Sequence, residues 1–423
     1  VRHWRTWLGG ARTVGLLAVV FLVVAFVSFA PRMASWIGSW KQALDLSAGA
    51  TAFLGPVAAG AACLAYSRLR ASAASELVLQ AERDWLRWLQ PFLALWALAS
   101  AALVVVTVGA TTAASMAGVP AYPQFAWVVL PALAVLGAQT AMGAAIGYAS
   151  GRPWAAPMAV VIVFLLFLWT INGPLPTLFV TGGATGTLAG ETFAVLPVLG
   201  PGVFALGFGW CVLAVAHRRL LASTAPRLAA IGLAVALVAL GWWWTGGDND
   251  LRYVPVADPA LSCAGSAPEV CVLREVPRPL HDLAAKAERQ ASALYAIGAP
   301  VPARFSSERS SGAQDGVVHL WVEEESQRAV SEDSVTRSLV MPARCPADTA
   351  DIAVDLPFEE RHLLGRWLQV RAGLIEPDPE DSDAAWLEAR VVTEEQQEAW
   401  VLTTYRQLVA CDFASIRMPD GLG

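Results

Sequence analysis

The chain has 423 residues, of which 56% are hydrophobic and only 15% charged, and its formal net charge is −6. So few charges exclude an ordinary water-soluble globule, in which about a quarter of residues are charged, and the acidic balance excludes a nucleic-acid binder, which needs a basic face. The charges are also segregated. Residues 13–247 contain 15 Asp, Glu, Lys and Arg, whereas residues 248–423 contain 46. The first part carries a net positive charge and the second a strongly negative one. Two domains follow: a membrane domain over 1–245 and a water-exposed domain over 246–423.

In chain order, Val1-Arg2-His3-Trp4-Arg5 precedes an apolar run that is long for a signal-peptide core and is followed by no small-x-small cleavage pattern. It reads as a first span that stays attached. Seven segments are predicted to cross a bilayer: 14–30, 48–67, 91–114, 125–149, 154–172, 196–216 and 228–245. Each approaches or exceeds the ~17–25 residues that a hydrocarbon core of ~30 Å requires. With the N-terminus inside, the inner segments hold Arg2, Arg5, Arg12, Arg68, Arg70, Arg83, Arg87, Arg152, Arg218, Arg219 and Arg227, and the outer short loops only Arg32 and Lys41. That arginine bias sets the orientation. An odd number of crossings then places 246–423 outside a multi-pass plasma-membrane protein. Trp242-Trp243-Trp244 fits the outer headgroup belt.

Cys63 and Cys211 lie within spans and are expected to pack there. The other four cysteines lie in the tail, where an even number outside the cytoplasm suggests disulfides. Of three connectivities the favoured one joins Cys263 to Cys271, around Gly265 and Pro268, and Cys345 to Cys411. The tail is predicted to contain a helix over 279–297, a strand over 317–322 that 338–341 could pair with, and a helix over 358–374 with Leu363, Leu364, Trp367 and Leu368 on one side. A last helix over 393–411 opens on Thr393-Glu394-Glu395-Gln396, a capping pattern. The predicted class is a polytopic α-helical membrane protein of about seven spans with a small α+β extracytoplasmic domain.

Catalytic signatures are missing. His281, His319 and His362 form no His-Glu-x-x-His pair, and Glu359-Glu360-Arg361-His362 reads as a solvated helix face. There is no Gly-x-Ser-x-Gly elbow, and Cys263 and Cys271 lack Cys-x-x-Cys spacing. The acidic runs Glu323-Glu324-Glu325 and Glu376-Pro377-Asp378-Pro379-Glu380-Asp381 read as solvated loops. The expectation is a chain that is not an enzyme and carries no metal or cofactor. Residues 88–151 contain no charge and no His, which disfavours proton-coupled transport. Gln139, Thr140 and Asn172 read as helix-to-helix hydrogen-bonding groups, and Gly137, Ala141 and Ala145 as a close-packing face. No Walker loop is present, so any pumping needs a separate ATPase.

Three stretches add to this layout. Val1-Arg2-His3-Trp4-Arg5-Thr6-Trp7-Leu8 combines Trp and Arg as an interfacial helix does. The inner loop 74–90 carries Glu76, Glu82, Arg83, Asp84, Trp85, Arg87 and Trp88. The outer segment 173–195, with Gly182-Gly183-Ala184-Thr185-Gly186, is Gly-rich and apolar, and such backbone is tolerated at membrane depth only when protein covers it. In these respects residues 1–220 resemble the permease subunits of type-2 ABC transporters, the exporter-like group. The chain departs from them by a seventh span and an acidic ectodomain. Its Ala-, Arg- and Trp-rich composition and cysteine-bearing tail resemble actinobacterial membrane proteins.

The resemblance implies a dimer with a second permease subunit and a cytoplasmic ABC ATPase partner. It further implies ATPase coupling through Glu82, Arg83, Asp84 and Arg87, and export of an apolar or amphipathic substrate. The alternative is a non-transporting receptor or scaffold whose ectodomain binds a ligand.

Overall fold

Helices dominate the computed structural model, which describes residues 10–30, 39–71, 84–172, 178–183, 188–216, 224–245, 249–275, 280–308, 316–320, 333–341, 358–378, 383–388 and 390–419. The chain divides into two units, Val1–Pro255 and Val256–Gly423.

The first unit runs α1 (Ala11–Phe29), α2 (Trp40–Gly49), α3 (Thr51–Ala71), α4 (Asp84–Met116), α5 (Val129–Ser150), α6 (Ala155–Asn172), β1 (Glu191–Phe193), α7 (Val195–Ala216), α8 (Thr224–Thr245) and β2 (Tyr253–Pro255). Short 3₁₀ turns at Pro123–Val128 and Asn249–Arg252 precede α5 and β2. Five helical stretches are long and apolar enough to cross a membrane: Ala11–Ser28, Trp40–Ala71, Trp88–Met116, Pro123–Ser150 and Val195–Ala216. Ala155–Thr170 and Ala229–Thr245 are shorter apolar helices. Leu16, Val19, Val23, Phe26 and Val27 on α1, and Met158, Val161, Leu165 and Trp169 on α6, are exposed. Such a density of exposed apolar side chains fits hydrocarbon rather than water.

Small residues set the helix spacing. On α5, Gly143 and Gly147 lie directly against α3, where an added Cβ would stand 2.0 Å from the Ala59 carbonyl oxygen and 2.2 Å from that of Cys63. This differs from the predicted face of Gly137, Ala141 and Ala145, because Gly137 instead faces the Trp96 ring of α4. The α7–α8 pair repeats the device, with Gly200 and Gly241 in mutual backbone contact and Gly207 against Ala234. Close backbone approach replaces the hydrophobic driving force that lipid does not provide between helices.

At the other end of α5, Gly151 takes the left-handed conformation (φ 63°) as the cap residue. Arg70 donates to the carbonyls of Tyr148 and Ala149 there, and its guanidinium lies over the Tyr148 ring. A cation on the last carbonyls complements the helix dipole.

The second unit contains a four-stranded sheet in the order β3 (Leu261–Ala264), β4 (Glu269–Leu273), β5 (Arg304–Ser306), β6 (Val317–His319). The first pair is antiparallel and the other two are parallel. Helix α9 (Leu280–Ala296) links β4 to β5, as a parallel neighbour requires a crossover. Its buried Leu283, Ala284, Ala287, Ala291 and Leu294 form one helical stripe. Helices α10 (Asp333–Val340), α11 (Phe358–Arg371), α12 (Ala384–Leu387) and α13 (Glu394–Val409) complete the unit.

The core packs Trp367, Leu364 and Leu368 of α11 with Trp386 of α12 and Val401, Tyr405 and Leu408 of α13. Thr393 caps α13 in a reciprocal box with Gln396.

The possible strand over 338–341 is not formed: residues 333–340 are helical. Val335, Leu339 and Val340 are buried at helical spacing, and the Ser338 hydroxyl donates to the Ser334 carbonyl at 2.7 Å.

Candidate functional site

Among the described residues of the first unit, the most polar buried region is built on α2. Ser39 caps this helix, its hydroxyl accepting from the Gln42 amide at 3.2 Å. One turn of α2 then brings Lys41, Gln42 and Asp45 onto one side by their i, i+1, i+4 spacing. All three are buried, and Asp45 has no exposed surface at all. Lys41 and Asp45 were read as an outer-loop cation and an unremarked charge. They sit instead in the buried extension of the second candidate span, Trp40–Ala71. That candidate span begins earlier than the predicted 48–67 and so takes in both charges.

Buried charges need partners, and these come from far along the chain. The Tyr253 hydroxyl donates to Asp45 Oδ1 at 2.7 Å, and the Gly183 amide donates to Oδ2 at 2.7 Å. Arg252 Nη2 lies 3.8 Å from Oδ1, the guanidinium being only 2% exposed. Arg252 also donates to the Thr181 carbonyl at 2.5 Å and lies over the Tyr253 ring. Its Nε has no hydrogen-bond partner among the described residues. Lys41 donates to the Glu191 carbonyl, and the Leu188 amide donates to Gln42 Oε1 at 3.2 Å. Burial first, and then the Asp45 carboxylate, push the Tyr253 pKa well up, so its hydroxyl remains the donor to Asp45.

The backbone of 178–183 lies against α2 and α3. Thr181 donates to the Ala48 carbonyl at 2.8 Å and shares a 3.0 Å hydrogen bond with Thr51. At Gly182 a Cβ would fall 1.9 Å from the Asp45 carbonyl oxygen, so only glycine fits. Strand β1 pairs antiparallel with β2, Glu191 opposite Pro255 and Phe193 opposite Tyr253. The described parts of the α6–α7 segment are thus tied to α2 by four hydrogen bonds, and to the chain beyond α8 by strand pairing and by Arg252. Apart from Arg252 Nε the groups satisfy one another, and among the described residues of the cluster no nucleophile is paired with a base. The chemistry available is closure, holding irregular backbone within an otherwise apolar unit.

Of the four coupling positions, Asp84 and Arg87 belong to α4, the same continuous helix as the third predicted span. Glu82 and Arg83 lie outside the described residues, as do residues 1–9. Cys263 and Cys271 stand directly opposite on β3 and β4 and are joined by a disulfide. Cys411 is disulfide-bonded as well; its favoured partner, Cys345, lies outside the described residues. Glu269 stands near the first disulfide, but both sulfurs are consumed, and its carboxylate accepts from Arg304 Nε at 2.7 Å. Glu323-Glu324-Glu325 and residues 379–381 of the second acidic run also lie outside the described residues. His362 stacks on Phe358, and His319 Nδ1 is 3.1 Å from the Glu308 carbonyl. The α2 cluster was missed because a lone Asp and Lys flanking an apolar run resemble loop residues. The available signal was Ser39 as a cap followed by the Lys41, Gln42, Asp45 stripe.

Comparison with known proteins touches the second unit only. No curated protein and no solved structure matches the chain. Residues 270–411 match the model of a family described as a domain of unknown function, DUF7224.

Proposed function

We propose that the chain is the membrane-spanning, permease-type subunit of an ABC exporter, with seven crossings, a cytoplasmic N-terminus and residues 246–423 outside. The observation that carries the reading is the α6–α7 segment. Its described residues 178–183 are mostly buried non-helical backbone, pinned onto α2 and α3 through Asp45, Ala48 and Thr51. A re-entrant outer segment of this kind is what the type-2 permeases have between their fifth and sixth spans, and it has no purpose in a simple anchor. The arginine asymmetry supports the orientation. With Lys41 drawn into α2, Arg32 is the only cation left for the short outer loops. The Cys263–Cys271 disulfide supports an oxidising side for the second unit. The working unit is then a dimer of permease subunits with a cytoplasmic ATPase, moving an apolar or amphipathic substrate.

The test is to purify the full chain from its host membranes in mild detergent and look for a co-purifying ATPase with a Walker loop. Its ATP hydrolysis should be stimulated by the chain. Reversal of charge in Arg83→Glu with Arg87→Glu should return hydrolysis to the ATPase's own basal rate. Absence of any such ATPase would refute the permease reading, whereas stimulation that survives the reversal would refute only the coupling positions.

Topology has its own test. After reduction, a membrane-impermeant maleimide applied to intact cells should label Cys263, the exposed partner of the pair. Labelling only after the membrane is opened would overturn the odd number of crossings.

A receptor or scaffold is the second reading. It is favoured by the fact that the one family match covers the second unit alone. In that case the full chain purifies without an ATPase.

A further inference from the structure

In the β3–β4 hairpin of the second unit, Cys263 and Cys271 stand directly opposite, with Cα atoms 4.1 Å apart. Glu269 lies two residues before Cys271 on β4, so strand alternation puts both on one face of the sheet. The other face of β4, with Val270 and Val272, belongs to the core that α9 closes. The two sulfurs and a Glu269 carboxylate oxygen all lie within 4.8 Å of one another. Sulfurs about 2.3 Å from a tetrahedral zinc ion stand about 3.8 Å apart. The Cβ separation of a directly opposed pair, about 4.5–5.5 Å, accommodates that spacing.

The surroundings suit a cation. Arg304, opposite Glu269 on β5, brings Nε to 2.7 Å and Nη2 to 2.5 Å from the same oxygen, Oε2. Among the described residues Oε1 makes no hydrogen bond. The carboxylate is thus oriented through one oxygen and open at the other, as metal-bound carboxylates are held by their outer partners. Two thiolates, one carboxylate, the Arg304 guanidinium and a divalent ion sum to zero charge, so no uncompensated charge is enclosed.

The disulfide is also open to attack. Cys263 is exposed on β3, an edge strand, whereas Cys271 is fully buried. The bridge closes a loop of only eight positions, so it restrains the unfolded chain less than a long-range bridge would. Strand β4 is held independently by β5 and by the core against α9.

We propose that the reduced pair is a binding site for a thiophilic divalent cation of the zinc type, with Cys263, Cys271 and Glu269 as ligands and water in the fourth position. The disulfide is the closed form of the site. Opening takes two electrons from an external dithiol. One thiolate of the dithiol attacks Cys263 Sγ, forming a mixed disulfide and expelling Cys271 as a thiolate. The second thiolate then attacks its own partner's sulfur, freeing Cys263 and leaving the reductant as a disulfide. The two protons of the dithiol pass to the two cysteines, and the cation displaces them. The assignment concerns the second unit alone and stands whether or not the chain works with an ATPase.

The test uses the full chain in detergent, reduced by a phosphine, freed of it anaerobically and titrated with Co²⁺ and then Zn²⁺. A phosphine is chosen because dithiols themselves bind these metals. Reduced wild type should bind one more Co²⁺ than reduced Cys263→Ser, a difference that cancels binding at the other cysteines. That extra ion should show sulfur-to-cobalt charge-transfer and tetrahedral visible bands, and Zn²⁺ should abolish both. Oxidised wild type should show neither. Glu269→Gln keeps both sulfurs, so its charge-transfer band should persist while Co²⁺ affinity falls about tenfold or more, at least the loss typical of an outer partner. While oxidised, Glu269→Gln should resist protease like wild type, since it loses only a partly exposed ion pair.

The proposal is overturned if reduced wild type binds no more Co²⁺ than Cys263→Ser, if oxidised wild type binds as well, or if Glu269→Gln binds as tightly as wild type. It is equally overturned if reduction alone opens residues 256–423 to protease, or if oxidised Glu269→Gln is digested faster, which would make Glu269 a support of the fold.

Discussion

Asp45→Ala is expected to destabilise the first unit by about 3–5 kcal/mol, the scale of breaking one partner out of a buried ion pair. The carboxylate is fully buried and accepts from Tyr253 and Gly183 while facing Arg252. Removing it leaves a guanidinium that is 2% exposed without its counter-charge, together with two donors that have lost their acceptor. Asp45→Asn should fall between wild type and alanine, since an amide oxygen can still accept one of the two hydrogen bonds. Arg252→Ala should cost a comparable amount, and the paired replacement Asp45→Leu with Arg252→Met should cost less than either single alanine, because it removes both charges at once. Unfolding of the solubilised full chain by titration with SDS reads all four. Limited proteolysis adds a local readout, with cleavage within 178–193 expected to accelerate in Asp45→Ala. Two single variants that each cost under about 1 kcal/mol, the scale of an exposed pair, would mean that the cluster is hydrated and holds nothing in place.

How much of this was legible in the sequence depends on where each residue's partners lie. The apolar helices announce themselves, since long uncharged runs have few other stable uses. Helix α13 was legible from Thr393 and Gln396, whose signal is complete within one turn. The β3–β4 hairpin was hinted at by Cys263, Gly265 and Pro268 but was not read as strands, because runs of four and five residues are too few to show alternation. Residues 338–341 form a short apolar run, which periodicity alone cannot assign to strand or helix. Their partners on α11 decide for helix, packing settling what the local sequence leaves open. The α2 cluster was the least legible. Asp45 and Tyr253 are separated by 208 positions, and nothing near Asp45 indicates that an acceptor for Tyr253 and Arg252 is needed. A charge beside an apolar run implies a helix end unless its counter-ion is known.

Gly143→Ala is expected to destabilise the chain, and the sign of the effect is the informative part. On helix propensity alone, alanine should be better than glycine by about 1 kcal/mol in a helix interior. Packing opposes this, because the new Cβ would stand 2.0 Å from the Ala59 carbonyl oxygen and 2.5 Å from its Cα. These are backbone atoms of α3 and cannot swing aside as a side chain end can. The two helices must separate, and overpacking of this kind typically costs about 1–3 kcal/mol, enough to reverse the propensity gain. Gly147→Ala should behave alike, since the Cys63 backbone stands as close.

Gly137→Ala provides the contrast on the same helix. Its nearest neighbour is Trp96 Nε1 at 3.2 Å, a side-chain atom that can yield by a few tenths of an ångström, so that variant should lie near wild type. Ordering the three by SDS unfolding distinguishes this α3–α5 crossing from one through Gly137, Ala141 and Ala145. A Gly143→Ala chain as stable as wild type, or more so, would show that α5 does not cross α3 at this face. Small residues surround α5 on every side, at 137, 138, 141, 143, 144, 145 and 147. Spacing alone therefore could not choose the packed face; the position of the Ala59 and Cys63 backbones does.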